Sequence, residues 1–285
     1  MNSENEPSPS PQIDGSQASR IYLLPNLMTA GNLFCGFFAI IKCIQARFNV
    51  MLSDDVLDPT HVLYTHAVMF ILGGMLFDSL DGRLARMGGR ESLFGKEFDS
   101  IADIVTFGIA PALMMLFLLF NPGEAVFFKK VGLALAFIYL LCAGIRLARF
   151  NVITHPSVYP ANFDRTDTDF IGLPVPAAAG MISTIVLMIN KHGLEKWAFL
   201  LPFFMLFISY LMISPIRYPS FKKIDWTTKI RIRSFILLLC VGLVLFLYQW
   251  YGLVLVFVSY LFYGVVRYLL MLRRTRFKKK PASKG

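Results

Sequence analysis

Asp78-Ser79-Leu80-Asp81-Gly82-Arg83-Leu84-Ala85-Arg86 is followed, after eight residues, by Gly95, and then by Asp99 and Asp103 at steps of four. Carboxylates at this density need a purpose in apolar surroundings, because an unpaired charge away from water is costly. Residues three or four apart share a helix face. Asp78 and Asp81 therefore point one way from one helix, and Asp99 and Asp103 do so from the next. Four carboxylates converging from two helices repel one another unless protons or cations intervene, and oxygen-only ligands suit magnesium, calcium or manganese. A pair of divalent cations would clamp a diphosphate and neutralise the charge developing on its leaving phosphate. Gly82 and Gly95 leave room for the close approach of a ligand or a neighbouring helix. Arg83 and Arg86 offer donors to phosphate oxygens. The competing reading of the same aspartates is a set of structural ion pairs with Arg83, Arg86 and Arg90.

The elements that must position these residues are membrane helices. Of 285 residues, 56% are hydrophobic, 16% are charged and 27 are phenylalanine, which is too apolar for an ordinary soluble domain of this size. Apolar runs near the required length of about 20 residues fall at 27–47, 64–86, 95–120, 127–149, 172–190, 197–214, 234–250 and 252–272. They predict an all-α bundle of about eight transmembrane helices. The third run begins among acidic residues, as expected of a helix that carries a site at one end. Residues 1–19 read as a disordered tail, without the basic and apolar regions of a cleavable signal. Residues 20–214 form the bundle that carries the site. Residues 215–272 add a basic inner loop and two helices, and 273–285 a basic tail.

Orientation follows from lysine and arginine. With the amino terminus inside, Lys42, Arg47, Lys129, Lys130, Lys191 and Lys196 lie at the outer side, and the other 22 of 28 basic residues at the inner side. This positive-inside bias places both termini and the aspartates at the cytoplasmic face of the membrane, and Asp54, Asp55 and Asp58 outside. The net charge of +10 is distributed between and after apolar runs rather than on one basic face, so it argues for topology and against nucleic acid. Cys35, Cys43, Cys142 and Cys240 have neither Cys-x-x-Cys spacing nor a histidine cluster, so neither a disulfide framework nor a zinc site is expected.

The pattern D-x2-D-G-x2-A-R-x8-G-x3-D-x3-D, present without departure, resembles that of the CDP-alcohol phosphotransferase family of integral membrane enzymes. Four further segments resemble the serine-accepting branch of that family: residues 24–36 (LPNLMTAGNLFCG), 98–112 (FDSIADIVTFGIAPA), 146–151 (RLARFN) and 172–179 (GLPVPAAA). Together they cover about residues 21 to 180. The resemblance implies transfer of the phosphatidyl group of CDP-diacylglycerol to the hydroxyl of L-serine, giving phosphatidylserine and CMP. Two divalent cations, Mg2+ or Mn2+, would be held by Asp78 and Asp99 bridging both, Asp81 completing one site and Asp103 the other. Asp103 would also be the proton acceptor. Gly82, Arg86 and Ser92 would contact the cytidine nucleotide, and Thr29 to Asn32 would line its other side. Membrane lipids are the remaining partners, a homodimer is left open, and a bacterial inner membrane is the expected location.

Several residues keep two readings. Ser92 is a nucleotide contact or an ordinary loop serine, and Asn32 an amide for the nucleotide or a helix cap. Arg146 and Arg149, three apart on one face, anchor anionic headgroups or hold a substrate carboxylate. His61, His66, His155 and His192 read as loop or interfacial residues. The polar stretch 151–170 is a cover over the acceptor pocket or a plain connector. The basic stretches 216–226 and 273–284 suit anionic lipid. Rival functions are a relative with another acceptor, such as phosphatidylglycerophosphate synthase, and a cation or phosphate transporter. A transporter would spread charges across several spans at mid-membrane depth, whereas here they gather at one face.

Overall fold

The structure is a computed structural model, and it describes residues 23–52, 60–87, 93–119, 126–153, 170–218, 248 and 251–270. Five of its helices are long and apolar enough to cross a membrane. These are α1 (Leu23–Leu52), α2 (Thr60–Met87), α3 (Leu93–Leu119), α4 (Val126–Ile153) and α7 (Tyr251–Leu270). Two shorter apolar helices, α5 (Val175–Lys191) and α6 (Leu201–Ile213), complete the described set, α6 being entered through a 3-10 turn at Glu195–Leu200. The first six predicted runs and the last overlap these helices, with α5 and α6 shorter than a span; the seventh, 234–250, lies outside the described residues apart from Tyr248. The two tails, 1–19 and 273–285, and most of the polar stretch, 154–169, also lie outside them.

One element departs from an all-helical expectation. Phe170–Ile171 (β1) and Arg217–Tyr218 (β2) pair antiparallel, Phe170 with Tyr218 and Ile171 with Arg217. The ladder continues as Gly172 N–H to Ile216 C=O at 2.8 Å and Leu173 N–H to Leu211 C=O at 3.0 Å. Gly172 has φ +83° and lies against the Met212 carbonyl, a conformation and a gap that exclude a side chain. The ladder ties the entry of α5 to the exit of α6.

Lipid offers no hydrophobic drive for helices to associate, so close packing at small residues does that work. α1 presents Ala39, Cys43 and Ala46 to Ala67, Val68 and Ile71 of α2, all fully buried. Nearer the aspartates, a Cβ on Gly36 would overlap Thr106 of α3, backbone included, and one on Gly74 would come within 2.6 Å of Thr106 and 2.8 Å of the Asn32 amide oxygen. The three helices carrying the acidic pattern and its flanking segment therefore meet at Gly36, Gly74 and Thr106. The outward faces carry Phe34, Phe37, Met69, Leu76, Leu133 and Phe137, exposed as lipid-facing side chains are.

α3 is not a uniform α-helix. It runs as α from Leu93 to Asp103, passes through a π segment at Ile104–Ile109, and resumes as α from Ala110 to Leu119. Pro111 supplies the cause. It has no N–H for the Phe107 carbonyl four residues earlier, and its ring crowds that carbonyl. Tyr139 of α4 donates its hydroxyl to the Phe107 carbonyl at 2.8 Å, so the polar group released by the irregularity is satisfied inside the bundle.

Candidate active site

Asp78 of α2 and Asp99 and Asp103 of α3 come together just before the π segment. Each offers a carboxylate oxygen, and these oxygens lie within 4.8 Å of one another. Asp78 and Asp99 are half-buried and Asp103 is buried. The π segment contributes directly to this convergence: an added residue turns the following helix by about 100° relative to an unbroken α-helix. The acidic face upstream and the packed apolar face downstream can then both be met. Thr106, inside the segment, donates its hydroxyl to the Asn32 carbonyl at 2.9 Å, locking α3 to α1 beside the cluster.

Two α1 side chains orient two of the carboxylates. Asn32 donates its amide N–H to Asp103 Oδ1 at 3.0 Å, and Thr29 donates its hydroxyl to Asp81 Oδ2 at 2.9 Å. All four residues are buried, and in that environment neutral donors to carboxylates fix rotamers without adding charge. Asp81 is not among the three residues whose oxygens converge; it stands beside them, held by Thr29. Gly82 follows it in α2, half-buried. Ser92 and the side chain of Arg86 lie outside the described residues. Arg83 is exposed.

The two arginines of α4 are in different places. Arg146 is half-buried and near enough to Asp103 and Asp78 for their charges to act on it. Arg149 is exposed. A polar brace holds this end of α4 to the start of α3: Asn151 donates its side-chain amide to Ser100 Oγ at 2.8 Å, and Lys96 Nζ donates to the Asn151 carbonyl at 3.0 Å. Ser100 follows Asp99 directly, so the brace sets the arginine-bearing helix against the aspartate-bearing one. Thr106, Pro111, Ser100 and Asn151 stand in the sequence only as members of the segments 98–112 and 146–151 that carry the resemblance, with no role of their own, and Lys96 and Tyr139 are not singled out there. Pro111 was the available signal, as a proline inside an apolar helical run.

The donor set suits hard divalent cations. Three acidic groups of like charge at this separation, in partly dehydrated surroundings, repel one another unless protons or cations intervene, and carboxylate oxygens are the ligands that magnesium and manganese prefer. At about 1.5 Å rise per residue, Asp78 lies about 14 Å from the end of α2 and Asp99 about 9 Å from the start of α3. The site therefore lies in the C-terminal half of α2 and the N-terminal half of α3.

Residues 22–212 match the family described as CDP-alcohol phosphatidyltransferase. The chain is 35% identical over 266 residues to the CDP-diacylglycerol–serine O-phosphatidyltransferase of Helicobacter pylori, an alignment covering 92% of this chain and 98% of that protein. It is also 35% identical over 232 residues to the protein of the same name from Methanocaldococcus jannaschii, covering 81% and 98% of the two. To the archaetidylserine synthase of Methanothermobacter thermautotrophicus it is 33% identical over 198 residues, 69% of each chain.

Proposed function

Since the chain belongs to the CDP-alcohol phosphatidyltransferase family, we propose that it transfers the phosphatidyl group of CDP-diacylglycerol to the hydroxyl of L-serine. The observation that carries the chemistry is the convergence of Asp78, Asp99 and Asp103. The acceptor is supported by relatives named for serine products over most of both chains.

The serine hydroxyl oxygen attacks the phosphorus that bears the diacylglycerol, the bond from that phosphorus to the CMP oxygen breaks, and CMP leaves. Divalent cations, magnesium or manganese, when bound to the aspartates neutralise the diphosphate and stabilise the departing CMP. Asp78, Asp99 and Asp103 would hold these cations, with Asp81 beside them as the fourth carboxylate. Asp103 takes the serine hydroxyl proton. Its Oδ1 accepts from Asn32, which holds the carboxylate in place for that transfer. Thr29 and Asn32 keep the carboxylates in register for this step, and the nucleotide lies against them, Gly82, Arg86 and Ser92. Arg146 offers its guanidinium to the serine carboxylate. Purified protein given CDP-diacylglycerol and a panel of alcohols should release CMP with L-serine and form a lipid that mass spectrometry identifies as phosphatidylserine. A product made only with glycerol 3-phosphate would replace serine while keeping the aspartate chemistry.

The acyl chains of the donor stay in the bilayer while the polar acceptor arrives from water, and the basic-residue bias puts that water on the cytoplasmic side of an eight-span bundle. In intact bacterial cells, a cysteine replacing Asp54 in a cysteine-free background should react with a membrane-impermeant thiol reagent. Cysteines replacing Arg90 or Lys279 should react only after permeabilisation. The opposite labelling would put the site on the outer face.

A further inference from the structure

The last helix, α7, runs antiparallel along α5 and returns to the site end of the bundle. At the far end the Tyr251 hydroxyl lies 2.6 Å from His192 Nε2. Midway, the Phe257 ring fills the space a side chain on Gly180 would need. At the site end Gly264 lies against the Tyr218 ring, whose centroid is 5.6 Å from that of Tyr260. Tyr260 is in turn near enough to Arg146 for phenol and guanidinium to influence each other electrostatically. Arg146 has the same relation to Asp103 and Asp78. Side chains from β2, α7 and α4 thus lead to the aspartates.

Tyr218 is fully buried, and its hydroxyl has no hydrogen-bond partner among the described residues. Burial also pushes this phenol up to about 12, so it is a neutral donor at any pH where such an enzyme works. A buried hydroxyl without a partner is destabilising, and such groups are uncommon outside sites that bind something. This one points to a ligand because the Tyr260 ring packs beside it and Tyr260 is itself within electrostatic reach of Arg146, at the aspartate end of the bundle. Neither tyrosine falls within residues 22–212, the span of the family match, whereas the aspartates, Asn32 and Arg146 all do. The shared span holds the diphosphate machinery and stops short of both tyrosines, which is where a determinant particular to one acceptor would lie.

We propose that the Tyr218 and Tyr260 hydroxyls join the Arg146 guanidinium as the donor set for the carboxylate of an amino-acid acceptor, so that the last helix takes part in acceptor selection. The inference rests on the serine reading. A planar carboxylate has four lone-pair sites, and an arginine fork with two phenols can fill them without adding further charge. Tyr→Phe keeps the ring that packs against Gly264 and removes only the hydroxyl.

The test is steady-state kinetics of full-length Tyr218→Phe and Tyr260→Phe in detergent, with L-serine and CDP-diacylglycerol varied in turn and thermal unfolding recorded. Each variant should raise the KM for serine about three- to tenfold, leave the KM for CDP-diacylglycerol within about twofold, and unfold no earlier than wild type. An unchanged serine KM in either variant overturns the proposal for that hydroxyl, and equal rises in both KM values, or a lowered Tm, overturn it in favour of a packing role. Failure of the serine reading looks different: wild-type protein would then release CMP without responding to serine at all.

Discussion

Asp99→Asn and Asp78→Asn each reduce CMP release by about 10²- to 10³-fold or more, with the fold intact. Asparagine matches aspartate in size and keeps a carbonyl oxygen, so the packing of α2 against α3 survives while one negative charge is lost. That charge is what a divalent cation, and through it the diphosphate, is held by. The same dependence should appear on removal of the metal: a chelator abolishes turnover of the wild-type protein, and added magnesium or manganese restores it. Thr29→Val is the graded companion. It leaves every carboxylate in place and removes the 2.9 Å hydrogen bond to Asp81 together with a longer one, 3.2 Å, to the Pro25 carbonyl one turn back, so its loss should be the smaller 10- to 100-fold typical of groups behind a ligand. Full activity in chelator, or near-normal turnover of either asparagine variant, would remove the metal assignment.

The second large effect is expected at Arg146. Its replacement by alanine should raise the KM for serine about 10- to 150-fold, equivalent to the 1.5–3 kcal/mol of a lost hydrogen bond to a charged group, while the KM for CDP-diacylglycerol moves much less. Arg149→Ala should change neither by more than about twofold, as for an ordinary surface substitution. The contrast rests on position. Arg146 lies half-buried within electrostatic reach of Asp78 and Asp103, and Arg149 is exposed three residues later. Comparable losses for both substrates in Arg146→Ala would make it a diphosphate contact, and Arg146→Lys separates charge from fork geometry. A lysine that restores serine binding fully would mean that a point charge suffices.

Lipid-facing helices and the acidic cluster were both legible in the amino-acid sequence because each obeys a local rule. A helix that must satisfy its own backbone in hydrocarbon is written as about twenty consecutive apolar residues, and the predicted runs overlap every described helix. The three- and four-residue steps among Asp78, Asp81, Asp99 and Asp103 follow from the helical repeat alone, as does the placement of each pair on one face. The shared pattern and the flanking segments then led to the family, whose match spans residues 22–212.

Non-local packing decided the rest. Periodicity treats the four aspartates as equals; the crossing of α1, α2 and α3 at Gly36, Gly74 and Thr106 brings three of them together and leaves Asp81 to Thr29. Pro111 marked a disturbance in α3, but only the Tyr139 hydroxyl on the neighbouring helix shows how its free carbonyl is satisfied. Arg146 and Arg149 share a face by spacing, yet the neighbouring helices bury one and expose the other, because a face about 100° wide spans both the wall of a site and its rim. Tyr218 and Tyr260, 42 positions apart in the chain, carry no spacing signal for each other. Their contact exists because α7 packs antiparallel on α5 and returns its far half to the aspartates, a path set by small residues such as Gly180 and Gly264 meeting large rings across helices.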